Sequence, residues 1–167
     1  MRNTYHIDGT IDHKLVYDQS TLHRLDGPAV ELDNVLVWFQ NGKVHRDDGP
    51  AIVYLEWGDT NPNYDTIEEW HQYGILHRTT GPAIIYVNGS YEWVQNGRLH
   101  REDGPAQYWS PDSSHHWYIL GEEITQEIFE KMKTCSNINK LADHLVSASP
   151  AERYLAEKRI TELENKI

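Results

Sequence analysis

A seven-residue segment recurs four times along the chain, and it limits what the chain can fold into more than any other feature. It reads His23-Arg24-Leu25-Asp26-Gly27-Pro28-Ala29, His45-Arg46-Asp47-Asp48-Gly49-Pro50-Ala51, His77-Arg78-Thr79-Thr80-Gly81-Pro82-Ala83 and His100-Arg101-Glu102-Asp103-Gly104-Pro105-Ala106. Successive histidines stand 22, 32 and 23 residues apart. A fixed spacing in this range marks stacked supersecondary units. The long step holds an insert, near 57–65, rich in Gly, Asp, Asn and Pro, which reads as a loop pushed out of one unit.

The same grammar surrounds each histidine. A tryptophan lies seven residues earlier at Trp38, Trp70 and Trp93. Between them lie Asn41-Gly42, Tyr73-Gly74 and Asn96-Gly97. Such dipeptides suit a two-residue type I′ hairpin turn, which needs φ > 0 at both positions. That turn places Trp93 opposite His100, Val94 opposite Leu99 and Glu92 opposite Arg101. The same count pairs Trp38 with His45, Trp70 with His77 and Glu69 with Arg78. If Asp-Gly before each proline is also a two-residue turn, each histidine meets Val30, Ile52, Ile84 or Gln107 on its other side. Gly27, Gly49, Gly81 and Gly104 then supply permissive backbone. One face carries Trp, His and aliphatic residues; the other carries Arg, its acidic partners and the alanines. The expected fold is mostly β, an antiparallel meander of hairpin repeats over 1–124, with atypical end units. Gln19-Ser20 replaces Asn-Gly at one end, and Ile124 takes the histidine's place at the other.

After Thr125 the period becomes helical, giving about three short helices over 125–167. Ile128, Phe129 and Met132 form one apolar stripe. Ile138, Leu141, Ala142, Leu145 and Val146 form a second. Ser149-Pro150-Ala151-Glu152 is a capping box that opens a third helix carrying Leu155 or Ala156, Ile160, Leu163 and Ile167. At least one helix should cover the sheet end or a face. The last is a candidate to project towards a partner.

The formal net charge is −11, which disfavours holding nucleic acid through a broad basic surface and suits a basic partner. The 38% apolar content and mean hydropathy of −0.70 describe a thin, well-solvated fold. A lone Cys135 leaves no intramolecular disulfide and suits a reducing compartment, and neither a secretory leader nor a membrane-spanning run is expected. The His-Arg-x-Asp trio invites a catalytic reading. Its repetition at one spacing argues instead for structure, because catalytic groups occupy distinct environments. Trp38, His45, Trp70, His77, Trp93 and His100 are therefore read as a structural signature, together with the four glycines. Histidines about 10 Å apart, two strands removed, cannot share an ion, so no metal or other cofactor is expected.

The Trp strand, Asn-Gly turn and His-Arg-x-Asp-Gly-Pro-Ala segment resemble a repeat of tailed-phage and giant-virus proteins. That repeat is similar to divergent MORN repeats and YwqK-type antitoxin repeats. The resemblance covers roughly 15–124 and implies an elongated twisted sheet acting as a binding scaffold, made by a virus in the host cytoplasm. It supplies no catalytic positions. The expected function is a non-catalytic interaction protein that binds and inhibits a host protein, one of defence or nucleic-acid handling. Its candidate surface is acidic and aromatic: Glu56, Asp59, Tyr64, Asp65, Glu68 and Glu69. The alternative is a binder for a phosphate-bearing nucleotide through Arg24, Arg46, Arg78 and Arg101. A small enzyme using one repeat histidine ranks third. Self-association through exposed sheet ends is a further possibility.

Overall fold

The computed structural model describes residues 3–5, 11–12, 19–55 and 66–166. The chain is mostly antiparallel β, followed by three helices. Among the described residues, one eleven-stranded sheet runs through Glu122–Ile124, Ser114–Ile119, Gln107–Trp109, Tyr91–Glu92, Ile84–Tyr86, Thr66–Glu69, Ile52–Tyr54, Val35–Val37, Val30–Glu31, Asn3–Tyr5 and Ile11–Asp12. Separate two-stranded hairpins form where Phe39–Gln40 meets Lys43–Val44, His71–Gln72 meets Ile75–Leu76, and Val94–Gln95 meets Arg98–Leu99.

The hairpin turns follow from their dipeptides. φ is +50° at Asn41, +51° at Tyr73 and +52° at Asn96, and the next glycine is also positive each time. Leu120 and Gly121, at +54° and +87°, make a fourth such turn. Asparagine visits this region at little cost; Tyr73 and Leu120 are held there by their neighbours. Val94 faces Leu99, as counted from the sequence, and His71 and Phe39 face Leu76 and Val44. The N–H groups of His45, His77 and His100 each donate to the carbonyl of their tryptophan at 3.0 Å.

The outer half of the expected register is corrected. Glu92 pairs with Ile84 and Gln107, not with Arg101. Glu69 pairs with Ile84 and Ile52, not with Arg78. Val30, Ile52, Ile84 and Gln107 pair with other sheet strands rather than with the histidines of the repeat. The cause is a break in the strand at tryptophan. The N–H groups of Trp38, Trp70 and Trp93 donate to Ala51, Ala83 and Ala106 at 2.8, 2.8 and 2.7 Å, and the chain then leaves the sheet for its hairpin. The Asp-Gly-Pro stretch is a return path, not a two-residue turn. Along it Arg24, Arg78 and Arg101 donate their N–H groups to Phe39, Val94 and Tyr118 of the following unit. The hairpins therefore stack on one another beside the sheet. Ala29, Ala51, Ala83 and Ala106, at this junction, have no exposed surface.

Leu22, Ala29, Val30 and Phe39 form one buried cluster, with Leu32, Val37 and Val44 against it. The sheet face bearing Val30 and Val37 is thus the one that meets the hairpins. A second cluster joins strand and helix: Ile119 and Ile124 pack with Phe129, Met132, Leu141, Ala151, Leu155 and Ala156. The helices are α1 (Gln126–Thr134), α2 (Ile138–His144) and α3 (Pro150–Glu164). Thr125, Asn137 and Ser149 cap them, and the Ser149/Glu152 capping box closes in both directions. The last helix does not project. It packs on α1, α2 and the final two strands, burying both Leu155 and Ala156. Ile124 stands opposite Trp117, where earlier units have histidine, and it feeds this apolar core.

Candidate interaction surface

Three of the four heptapeptides stack their arginine on a tryptophan. Arg46, Arg78 and Arg101 lie over Trp38, Trp70 and Trp93 with the guanidinium carbon 4.2, 3.7 and 4.1 Å from the ring centre. Trp and Arg therefore share a side, against the expectation of opposite faces. The arginine also donates Nη1–H to the carbonyl of Pro28, Pro50, Pro82 or Pro105. In three copies Nε–H donates to the aspartate two residues on: Asp26 at 2.9 Å, Asp48 at 2.8 Å and Asp103 at 2.6 Å. Those bonds hold all three aspartates below the usual carboxylate range. The glycine of the motif seats the guanidinium. A Cβ on Gly49 would lie 2.7 Å from Arg46 Cζ, and its φ is not positive. The expectation that these glycines serve a turn is corrected accordingly. The four arginines proposed for a nucleotide are engaged inside their own motifs.

Each histidine ties its unit to the next. Nδ1 of His23, His45, His77 and His100 accepts the backbone N–H of Asn41, Tyr73, Asn96 and Leu120 at 3.1, 3.2, 3.1 and 3.1 Å. The acceptor reaches the first residue of the following turn, which the positive φ has aimed outward from its own hairpin. His45 and His100 are buried, and His45 stacks on Tyr73 with centroids 4.2 Å apart. An Nδ1 that accepts a hydrogen bond must be unprotonated.

This has a pH consequence at His100. Burial pushes its pKa down and Lys158 adds to that, while Glu102 opposes. Its folded pKa thus lies below the unfolded one, so the unfolded chain binds the proton more readily as pH falls through about 6.5. Stability is fully present above that pH and declines below it. Glu102 is also held below the usual carboxylate range: burial opposes this, but hydrogen bonds from Lys158 and Tyr154 prevail. Its contribution is lost at more acid pH. The expected result is a Tm that falls first below about pH 6.5 and again in the carboxylate range. A scanning calorimetry series should show the first fall shrink in His100→Gln; a Tm flat from pH 7.5 to 5 would rule the account out.

Across the sheet, side chains alternate in two rows. Val37, Ile52, Glu69, Ile84, Glu92, Gln107 and His116 share one register line, on the hairpin side. Leu36, Val53, Glu68, Ile85, Tyr91, Tyr108 and His115 share the other. The second line is half-buried to exposed along its whole length. Tyr91 and Tyr108 rings lie 5.5 Å apart, Tyr108 and His115 4.8 Å, and His115 and Trp117 6.3 Å. The result is a continuous aromatic ridge leading to the helical end.

The candidate acidic surface divides. Glu56, Asp59, Tyr64 and Asp65 lie outside the described residues. Glu68 and Glu69 are neighbours on one strand and so point to opposite faces. Glu68 lies on the aromatic side, where its charge raises the pKa of Arg78 against the larger effect of burial. Glu69 is turned inward, and it bonds His71 Nε2 at 2.9 Å, Tyr54 at 3.3 Å and Thr66 at 3.5 Å. The bond to His71 holds the Glu69 carboxyl low. Glu92 is tied likewise by Tyr86 at 3.0 Å and Gln107 at 3.1 Å, and burial pushes the Tyr86 hydroxyl well up. These carboxylates fasten strands and are not offered to a partner. His71 Nδ1 stays buried without a hydrogen bond. Among the described residues, no three His, Cys, Asp or Glu side chains are grouped to hold a metal ion.

No family model, curated protein or solved structure matches the chain. The aromatic ridge escaped the sequence reading in its particulars. Its signal is the pair of alternating dipeptides Tyr91-Glu92 and Gln107-Tyr108, which speak only once the register between their strands is known.

Proposed function

We propose that the chain is a non-catalytic interaction module that grips a protein partner across the aromatic ridge. One observation carries this reading. Leu36, Val53, Glu68, Ile85, Tyr91, Tyr108 and His115 form one line over seven strands, partly buried throughout and exposed at His115, and the helices pack mainly against the last two strands. Tyrosine and tryptophan combine apolar area with a polar tip and recur at protein interfaces. The net charge of −11 steers such a surface towards a basic partner. The acids of the 56–65 insert, which joins the strands bearing Val53 and Glu68, would add to that steering. The nucleotide reading is weaker, because each repeat guanidinium already donates to a proline carbonyl and also has a carboxylate, a tryptophan ring or both as partners. In its finer form, the proposal is an elongated, twisted array of MORN-like hairpin repeats, phage-encoded and inhibiting a host protein in the host cytoplasm. The sequence pattern supports that form. Among the described residues, no helix is long and apolar enough to cross a membrane.

The test is a paired variant, Tyr91→Arg with Tyr108→Arg, placing two cations on the ridge. Tagged wild-type protein should retain one stoichiometric protein from host lysate. The variant should bind that purified protein at least tenfold more weakly by calorimetry while keeping its circular dichroism spectrum. Unchanged affinity in the folded variant would dismiss the ridge as the interface.

A further inference from the structure

The four copies of the motif form an internal control, and one of them is incomplete. In the first, second and fourth copies an aspartate two residues after arginine accepts Nε–H. The third copy has Thr79-Thr80 where the second has Asp47-Asp48 and the fourth Glu102-Asp103. Thr80 therefore stands where the acceptor should be. The rest of that stack is built as usual. Arg78 lies 3.7 Å over Trp70 and donates Nη1–H to Pro82 at 2.9 Å, and a Cβ on Gly81 would meet Arg78 Cζ at 2.8 Å. Yet Arg78 Nε is buried without a hydrogen-bond partner, and so is Trp70 Nε1 in the same stack. Neither Trp38 Nε1 nor Trp93 Nε1 is so stranded among the described residues. A buried N–H without an acceptor is costly and calls for an explanation. Both threonines are exposed.

We propose that Thr80 is a phosphorylation site and that its phosphate completes the third stack by accepting Arg78 Nε–H. A protein kinase would deliver the γ-phosphoryl group of ATP. The Thr80 Oγ1–P bond forms as the bond from Pγ to the bridging β-phosphate oxygen breaks, ADP leaves, and the hydroxyl proton passes through the kinase's base to solvent. The phosphate brings three strong acceptor oxygens and up to two negative charges to a guanidinium that lacks a carboxylate. Its oxygens lie one bond further from Cβ than those of aspartate, which gives the reach to a donor already held in place by ring, glycine and carbonyl. Arginine 78 precedes the site by two residues, so a basic-directed kinase suits the local sequence. The modification acts at the sheet face that carries Glu68 and would make the charge there more negative.

The experiment has two arms on the full chain. In the first, Thr80→Asp and the uncharged Thr80→Asn are compared by thermal unfolding and by the Arg78 Nε–H resonance in nitrogen-15 spectra. Thr80→Asp should raise Tm by about 2–4 °C and move that resonance downfield, and Thr80→Asn, whose amide oxygen accepts the same N–H without the charge, should do both to a smaller extent. In the second arm, purified protein is incubated with ATP and extract of the cell in which it is made, then mapped by peptide mass spectrometry. One phosphoryl group should appear on Thr80, vanish in Thr80→Val, raise Tm and shift the same resonance. The idea fails if Thr80 stays unmodified, if Thr79 takes the phosphate instead, or if phosphorylated Thr80 leaves the Arg78 signal where it was. It also fails if Thr80→Asp destabilises the protein while Thr80→Asn does not.

Discussion

Replacing Phe129 by alanine should cost about 3–5 kcal/mol, measured as a loss of urea stability. The ring is 1% exposed and sits among Ile119, Ile124, Met132, Leu141 and Leu155. Those residues come from the last two strands and from all three helices, so the void opens at the centre of a shared core. The same geometry forecasts how the loss is expressed. Strands and helices cannot separate without exposing Ile119 and Ile124, so circular dichroism in the helical band and tryptophan fluorescence should report one coincident transition. Helices melting well before the tryptophan signal in the wild-type protein would show that the 125–167 segment has a core of its own.

The second large effect concerns a glycine and reverses sign with its partner. Gly49→Ala should destabilise by about 1–3 kcal/mol, because its methyl group must displace the Arg46 guanidinium from Trp38 and from the Pro50 carbonyl. The backbone there does not oppose alanine. With Arg46→Ala already in place, the obstruction is gone, and Gly49→Ala should become neutral or stabilising by a few tenths to about 1 kcal/mol, through the unfolded chain's lost freedom. A double-mutant cycle by denaturant titration reads this directly. Equal destabilisation in both backgrounds would mean that the glycine serves the backbone and not the guanidinium.

That glycine also marks the boundary of what could be read in the sequence. Asn96-Gly97 was legible because a type I′ turn is set by the two residues inside it. The capping box at Ser149 and Glu152 was legible for the same reason, and so was Ile124 opposite Trp117. The partners of Glu92 were not. Whether the chain runs straight past Trp93 or bends there depends on an acceptor thirteen residues away, the Ala106 carbonyl. Counting outward from the turn assumes a continuous strand and puts Arg101 where Gln107 belongs. Gly49 looked like turn punctuation because Asp-Gly-Pro is turn chemistry, while its reason lies in the bulk of the Arg46 side chain folded back on it. Adjacent Glu68 and Glu69 read as one acidic patch in a linear sequence; a pleated strand sends them to opposite sides. The aromatic ridge needed all three kinds of information, since its line is assembled only through the register of seven strands.

The histidine bonds give the array a direction. Every unit presents an acceptor on the side of its successor and receives one from its predecessor, so the units join head to tail like monomers of a polar filament. Such a chain has no internal reason to stop. Here the terminator is Ile124: with no ring nitrogen to offer, the last unit presents a greasy surface instead, and α1 and α3 close over it. Copies added or removed upstream of Trp117 would leave that terminator intact, and array length would be free to vary while the lid stayed the same.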